Sequence, residues 1–396
     1  MNFVFISPEF PDSYYQFCKG LKKNGANVLG VGQTPYDWLN PDLKDSLTDY
    51  YKVDSLSSLK EKKAALSYFV NKYGKIDFIE SNNEFYLEQD AALRDLFDVT
   101  TGPSLKHVQY FRHKSLMKEK YQEAGIKVAP FYLIKDKEGA LSFASKYGYP
   151  LCIKPDDGMG ASGARKIRNE EELIDFLDYK DDHSYIMEIF VNGDLLSFDG
   201  VCDSKGDIVF PTSHQFPSSC MDVKAQEGDF IYYSEKTIPA DLKEAGQKIL
   251  HAFGAKSRFY HLEFFRLNQD QEYLGKKGDL IGLEVNMRAP GGYTPDMINY
   301  AYSINIYQIW ADVMCFDENR EKKEYPSYYC AYVGRRYDAT YLYSKEDIIK
   351  KYQDKIKLIR DNPHILADVM GDYFFMVNFD TKEEVNAFFR TCLLRK

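Results

Sequence analysis

YPLCIKPDDGMGASGA, residues 149–164, is the stretch on which the fold is read. Leu151, Cys152 and Ile153 are the apolar end of a strand, Lys154 projects a cation, and Pro155 stops the ladder. Gly158, Gly160 and Gly163 then form a loop without side-chain bulk. Such a loop can turn backbone N–H groups toward an anion, and polyphosphate is the expected one. The Walker loop, GxxxxGK[ST], needs its lysine after the glycines, whereas Lys154 precedes them. The dinucleotide fingerprint, GxGxxG opening a helix, is not expected here, because Gly158-Met159-Gly160 is taken to lack the third glycine at the right offset. A strand lysine under a glycine flap is a different device for holding a nucleotide. Taken alone, the stretch also reads as an ordinary hairpin turn.

At 396 residues the chain is long for one core, and two or three packed lobes are expected. A net charge of −9 without long Lys/Arg runs argues against a general nucleic-acid binder, so any phosphate affinity is local. Seven cysteines, at 18, 152, 202, 220, 315, 330 and 392, form no CxxC pair and fit reduced thiols in a cytoplasm. The seven histidines show no HxxxH or HxH spacing. No apolar run approaches the roughly 18 residues of a membrane span, and the expected location is cytoplasmic.

From the amino terminus, strand patterns at 3–7, 27–31, 50–53 and 76–81 alternate with helices at 14–23 and 56–73, which gives an open parallel α/β lobe over residues 1–103. Glu84, in a loop at the carboxyl edge, either faces a substrate or caps the next helix. After Gly102-Pro103 a helical stretch runs from Ser104 to about Glu123, and helices at 138–147 and 170–179 flank the Lys154 strand. Tyr185–Val191 with Leu195–Phe198 across Asn192-Gly193 reads as a hairpin carrying Glu188. His261–Phe265 is a strand bearing Glu263. Leu280–Arg288 is another, on which Glu284, Asn286 and Arg288 share one face. Two carboxylates and an amide oxygen suit a hard divalent cation such as Mg²⁺; a sheet-surface ion pair with Arg288 is the alternative. A helix at 295–314 and a mixed α+β segment over 316–396 complete the chain.

In that order, a lysine near 114, Ile153-Lys154-Pro155 with its glycines, a hairpin led by Glu188, and Glu263 followed by Glu284-Val285-Asn286-Met287-Arg288 resemble the ATP-grasp superfamily, in particular its carboxylate–amine ligases. The resemblance implies an N-terminal Rossmann-like α/β domain (1–103) and an ATP-grasp domain (104–315). The latter would comprise a small lobe at about 115–190 and a large lobe at about 191–315, before the C-terminal α+β subdomain (316–396). It further implies that Lys114 and Lys154 contact ATP phosphates and that Gly158, Gly160, Ser162 and Gly163 belong to a flap over them. Glu188 would accept from the adenine amino group beside a backbone hinge at Ile189 and Val191. Glu263, Glu284 and Asn286 would hold Mg²⁺, or alternatively Mn²⁺, and Arg288 would hold the transferred phosphoryl group and the substrate carboxylate. Two positions depart from the pattern. Leu195 stands where many members carry a ribose-binding Glu, with Asp194 as its candidate substitute, and Met287 stands where many carry Pro.

The implied activity is ATP-dependent joining of a carboxylate, plausibly an amino acid, to an amine through an acyl phosphate. Alternatives are a bicarbonate-using carboxylase or carbamoyl phosphate synthase-like enzyme, and a non-catalytic ATP-binding regulator. Small molecules are the expected partners, without nucleic acid or membrane, and a homodimer is compatible with the resemblance. Arg335 and Arg336 are either substrate-facing or an exposed strand pair.

Overall fold

The computed structural model describes residues 1–158, 163–217, 229–321 and 326–396. Its first lobe is a parallel sheet of β1 (Asn2–Ile6), β2 (Asn27–Gly32), β3 (Asp49–Lys52) and β4 (Phe78–Glu80), in the order β3-β2-β1-β4. Phe3, Val4, Phe5 and Ile6 are all buried, as the middle strand of a sheet covered on both faces requires. The crossover helix Leu59–Tyr73 starts where the Ser58 hydroxyl accepts from the Glu61 N–H and stops at Gly74, whose φ is +83°.

The small lobe is an antiparallel sheet of β5 (Phe131–Leu133), β6 (Leu151–Pro155), β7 (Arg165–Ile167) and β8 (Tyr185–Ile189), ordered β5-β8-β6-β7. Its apolar face packs Leu151, Ile153 and Met187 against Ala140, Phe143, Leu173 and Phe176 of the helices Lys137–Tyr147 and Glu170–Tyr179. The largest sheet joins β9 (Gly193–Cys202), β10 (Ile208–Phe216), β11 (Ile231–Ser234), β12 (Arg258–Leu267), β13 (Leu280–Asn286), β14 (Tyr329–Arg335), β15 (Ile356–Asp361) and β16 (Tyr373–Phe379). Its order is β13-β12-β9-β10-β11-β14-β16-β15. The C-terminal strands β14–β16 therefore extend the large-lobe sheet through the β11–β14 ladder and do not form a sheet of their own.

The first lobe shares a core with the large one. Gly20 lies so close to the helix Ile306–Phe316 that a Cβ there would stand 2.9 Å from the Cβ of Ala311. Buried Trp310 meets Phe17 at a ring separation of 4.9 Å and Phe3 at 5.6 Å. Beside this aromatic contact, buried Glu80 of β4 pairs with Arg94 at 3.1 Å and with Arg258 of β12 at 3.2 Å.

Two helices differ from expectation. The stretch read as one helix from Ser104 breaks into Leu105–Val108, a 3-10 turn and Lys114–Glu123, because His113 is extended. The helix expected at 295–314 divides into Thr294–Tyr302 and Ile306–Phe316. Ser303 turns left-handed at φ +54°, and Asn305 caps the second start. Among the described residues no helix is long and apolar enough to cross a membrane, and six cysteines are free thiols, Cys220 lying outside those residues.

Gly282 of β13 is one place where the site depends on a missing side chain. A Cβ would meet the buried Tyr121 ring at 2.6 Å, and the Tyr121 hydroxyl donates to the Glu284 carbonyl at 2.9 Å. Gly282→Ala is therefore expected to displace Tyr121 and cost about 1–3 kcal/mol. Thermal unfolding checks this, and a midpoint equal to that of the parent protein refutes it.

Candidate active site

The strand lysine and the helix lysine are brought together by Asp156. The Asp156 carboxylate accepts from the Ser115 N–H at 2.8 Å and the Ser115 hydroxyl at 3.1 Å, its carbonyl accepts from the Lys114 N–H at 2.8 Å, and His113 Nδ1 lies 3.1 Å from it. The residue after Lys154-Pro155 thus caps the helix that begins at Lys114. Lys114 and Lys154 are both buried, and Lys114 Nζ donates to the carbonyl of Gly158. Gly158, Gly160 and Gly163 do have GxGxxG spacing, but they join strand β6 to strand β7, so the dinucleotide reading fails on context. Gly163 adopts φ +74°. Gly160 and Ser162 lie outside the described residues.

Glu188 is buried in β8 between two lysines, Lys118 at 2.8 Å and Lys154 at 3.1 Å. Burial by itself would raise its pKa, but the two ammonium groups bring it down to about 2. Burial lowers Lys118, while Lys154, which burial also disfavours, is held above its usual range chiefly by Glu188. The carboxylate expected to meet an adenine amino group is thus engaged by two cations. Ile189, at the strand end, donates its N–H to Pro130 at 3.2 Å, and Val191 lies in the connection to β9. Asp194 is exposed and stands opposite Arg266 in the β9–β12 ladder.

The acidic set assembles as the strand pattern requires. Glu263 of β12 is the register partner of Glu284 of β13, and His261 is the partner of Asn286, so all four share one sheet face. A register shift follows directly at Glu263/Phe264. Glu284 and Asn286 are buried and Glu263 partly so. Burial raises the pKa of Glu284; Lys114 opposes the rise, and the charges of Glu263 and Glu84 add to it. Arg288, just past the strand, ion-pairs with Glu84 and approaches Asn286 Oδ1 at 3.4 Å, while Arg112 lies 3.7 Å from Glu84. Burial pushes Glu84 up, but Arg288, with Arg112 and Lys114, holds it below its usual range. Glu84 thus reaches the site, and Asn83 supplies the local cap.

Behind Glu263 lies a buried row. His261 Nε2 is 3.3 Å from Glu263 Oε1, His261 Nδ1 is hydrogen-bonded to Asp199 Oδ1, and Asp199 Oδ2 meets His214 Nδ1 at 2.7 Å. Burial disfavours the imidazolium of His261, yet Asp199 and Glu263 raise its pKa to about 10. Sequence reasoning missed Asp156, Lys118, Asp199 and His214, since each works through a partner distant in the chain. Arg335 is buried over the Tyr341 ring and Arg336 binds the carbonyls of Ala367 and Asp368 at 2.6 Å, so both bind C-terminal elements together.

A divalent cation fits this donor set. Crowded buried carboxylates repel one another, a hard cation relieves that repulsion, and two carboxylates with an amide oxygen leave coordination places for phosphate oxygens and water. Among the described residues no group of three His, Cys, Asp or Glu side chains is arranged for a metal; the third oxygen of this set is the amide oxygen of Asn286.

Residues 113–196 match the family model described as the carbamoyl-phosphate synthase L chain, ATP binding domain. The model of this chain superposes on the L-amino acid ligase from Bacillus licheniformis with a TM-score of 0.71 at 15% identity, covering 98% of this chain and 96% of that one. The fold is ATP-grasp. The 2-oxoglutarate carboxylase biotin carboxylase domain of Hydrogenobacter thermophilus, solved with MgADP, ADP and bicarbonate, gives a TM-score of 0.68 at 15% identity over 98% of this chain and 88% of that one. In sequence the chain is 25% identical to the L-arginine-specific L-amino acid ligase of Bacillus subtilis over 78% of its length and 74% of that protein. It is 27% identical to the carbamoyl phosphate synthase large chain of Caldanaerobacter subterraneus subsp. tengcongensis, over 62% of this chain but only 23% of that one. The expected resemblance to the carboxylate–amine ligase group and the expected ATP-grasp fold class both agree with these relatives.

The Lys118–Glu188–Lys154 ion triad gives a pH prediction. Glu188→Gln leaves two lysines without their anion and is expected to cost about 3–5 kcal/mol at neutral pH. The stability supplied by Glu188 is present above its unfolded value, 4.5, and is lost as pH falls toward about 2. Urea midpoints of the two proteins are therefore expected to converge across that window. A pH-independent gap counts against the assignment.

Proposed function

We propose that the chain is an ATP-dependent, ADP-forming carboxylate–amine ligase that makes an amide through an acyl phosphate. The observation that carries this reading is the nearness of two charge sets, with the charges of Lys114 and Lys154 both acting on buried Glu284. Lys114 and Lys154 lie on the glycine-flap side, and Glu263, Glu284 and Asn286 on the sheet side, with Arg288 beside them.

A carboxylate is a poor electrophile, so one of its oxygens must first become part of a leaving group. In-line attack of that oxygen on the γ-phosphorus of ATP breaks the bond to ADP and forms the acyl phosphate. Lys114 and Lys154 bind and orient the phosphates, and Arg288 stabilises charge on the transferred phosphoryl oxygens. A cation held by Glu263, Glu284 and Asn286 would supply further neutralisation of phosphoryl charge when bound. An amine then attacks the acyl carbon, inorganic phosphate leaves with the C–O bonding pair, and the nitrogen loses a proton. Gly158 and Gly163, at the two ends of the flap, belong to the cover that excludes water.

In this reading the small-molecule substrates include an amino acid, consistent with the named activities of the two L-amino acid ligases. Glu84, paired with Arg288, marks where a substrate carboxylate enters. The domains are taken as 1–103, 104–315 and 316–396, the protein as cytoplasmic and without nucleic-acid partners, and a homodimer as its assembly. Bicarbonate as the activated carboxylate is a second reading, favoured by the bicarbonate in the 2-oxoglutarate carboxylase complex.

The test is ADP and phosphate release from ATP and Mg²⁺ against a panel of amino acids and amines, with mass spectrometry of the products. Release that depends on a pair, with a product one water lighter than their sum, is expected. Turnover with bicarbonate and no amino acid selects the second reading, and nucleotide bound but never consumed refutes both. Lys154→Met leaves Glu188 paired with Lys118, so it is expected to fold and yet lose about 10²-fold or more in turnover. Glu284→Gln is expected to raise the Mg²⁺ needed for half-maximal rate, and an unchanged titration removes Glu284 from the ligand set.

A further inference from the structure

Four neighbouring strands, β10, β9, β12 and β13, carry one continuous polar row. His214 stands opposite Ser197, Asp199 opposite His261, and His261 opposite Asn286, while Glu263 lies two residues beyond His261 opposite Glu284. The row is buried: Ser197, Asp199 and His214 are fully enclosed and His261 is 9% exposed. A carboxylate enclosed to this degree persists only when its oxygens are satisfied, and Asp199 meets that condition. Its Oδ2 accepts from the Ser197 hydroxyl at 2.5 Å and faces His214 Nδ1 at 2.7 Å, and its Oδ1 meets His261 Nδ1. With Asp199 an acceptor, His261 Nδ1 is a donor. On its other side Nε2 faces Glu263 Oε1 at 3.3 Å, again an acceptor, so the ring presents N–H groups to two carboxylates.

We propose that His261 is a positioning residue for Glu263. Oriented by the buried Asp199–His214 pair, it holds Oε1 and leaves Oε2 to the cation shared with Glu284 and Asn286. The proposal rests on the assignment of Glu263, Glu284 and Asn286 to a divalent cation. Groups that orient a ligating side chain in this way commonly change metal affinity by 10–100-fold when removed. The chemistry asked of His261 is narrow: one N–H at the position of Nε2. The Gln side chain can place an amide N–H there, whereas Met fills similar space without a donor.

The experiment is Mn²⁺ binding followed by electron paramagnetic resonance in the presence of ADP, on the full chain and its variants, with ADP affinity in the absence of metal as a control. His261→Met is expected to weaken Mn²⁺ about tenfold or more without changing metal-free ADP affinity, and His261→Gln to recover most of the loss. Asp199→Asn, which keeps volume and removes the orienting charge, is expected to weaken Mn²⁺ as well and serves where His261→Met does not fold. Wild-type Mn²⁺ affinity in His261→Met or Asp199→Asn overturns the proposal, as does failure of His261→Gln to recover what His261→Met loses. Glu284→Gln separates the two levels. If it binds Mn²⁺ like the wild type, the cation site itself is wrong. If it loses Mn²⁺ while His261→Met does not, the site stands and the positioning role falls.

Discussion

Removing an ionised side chain from water is costly unless an opposite charge stands beside it, and the cleft of this ATP-grasp fold satisfies that condition unevenly on its two sides. On the flap side, Lys118 and Lys154 share the single carboxylate of Glu188, with Lys114 close by on the same helix as Lys118. Positive charge is in excess there. On the sheet side, Glu84, Glu263 and Glu284 outnumber the guanidinium groups of Arg288 and Arg112; burial raises the pKa of Glu284, and the charges of Glu263 and Glu84 add to that rise. Each excess destabilises its own side of the protein. Each also matches one half of a metal–polyphosphate complex, anionic oxygens toward the lysines and a cation toward the acids. In the proposed function, the residues that make the site costly to fold are therefore those that would give it affinity.

This arrangement depends on rigid placement, and the placement comes from the lobes. Lys154 is held by the β6–β8 ladder, Lys114 by the cap that Asp156 provides, and Glu284 by a register in which it faces Glu263. The Trp310 aromatic cluster and the Glu80–Arg94–Arg258 network lock the first lobe onto the large one, so that the loop after β4 delivers Glu84 to Arg288. The loop after β4 lies at the carboxyl edge of its sheet, where open parallel sheets commonly bind ligands.

How much of this was legible follows from the range of each interaction. Period-two alternation placed Glu284 and Asn286 on one face, and the order of motifs along the chain anticipated the fold, because both are written locally. The helix break before Lys114 was not visible, since the residue that caps the new start, Asp156, lies 41 positions from its partner Ser115. Lys118 was not singled out in the sequence, and only the tertiary fold brings it to Glu188 of β8. Arg335 looked exposed, whereas the strand carrying it is internal to the large sheet, between β11 and β16. Asp156, Lys118 and Asp199 carried no sequence signal because the partners that give them a role lie far along the chain.

In the proposed function, the pairing of Glu84 with Arg288 also constrains how a substrate would enter. A carboxylate that approaches Arg288 meets a guanidinium already engaged by Glu84 and within reach of Asn286. It can bind only by sharing or displacing that ion pair, and a displaced Glu84 still has Arg112 at hand, 3.7 Å from its other oxygen. Transfer of Glu84 from Arg288 to Arg112 would keep the buried carboxylate compensated while freeing the guanidinium for the incoming acid. The two arginines around one carboxylate are thus enough to let the site accept an anion without leaving a charge unpaired at any stage.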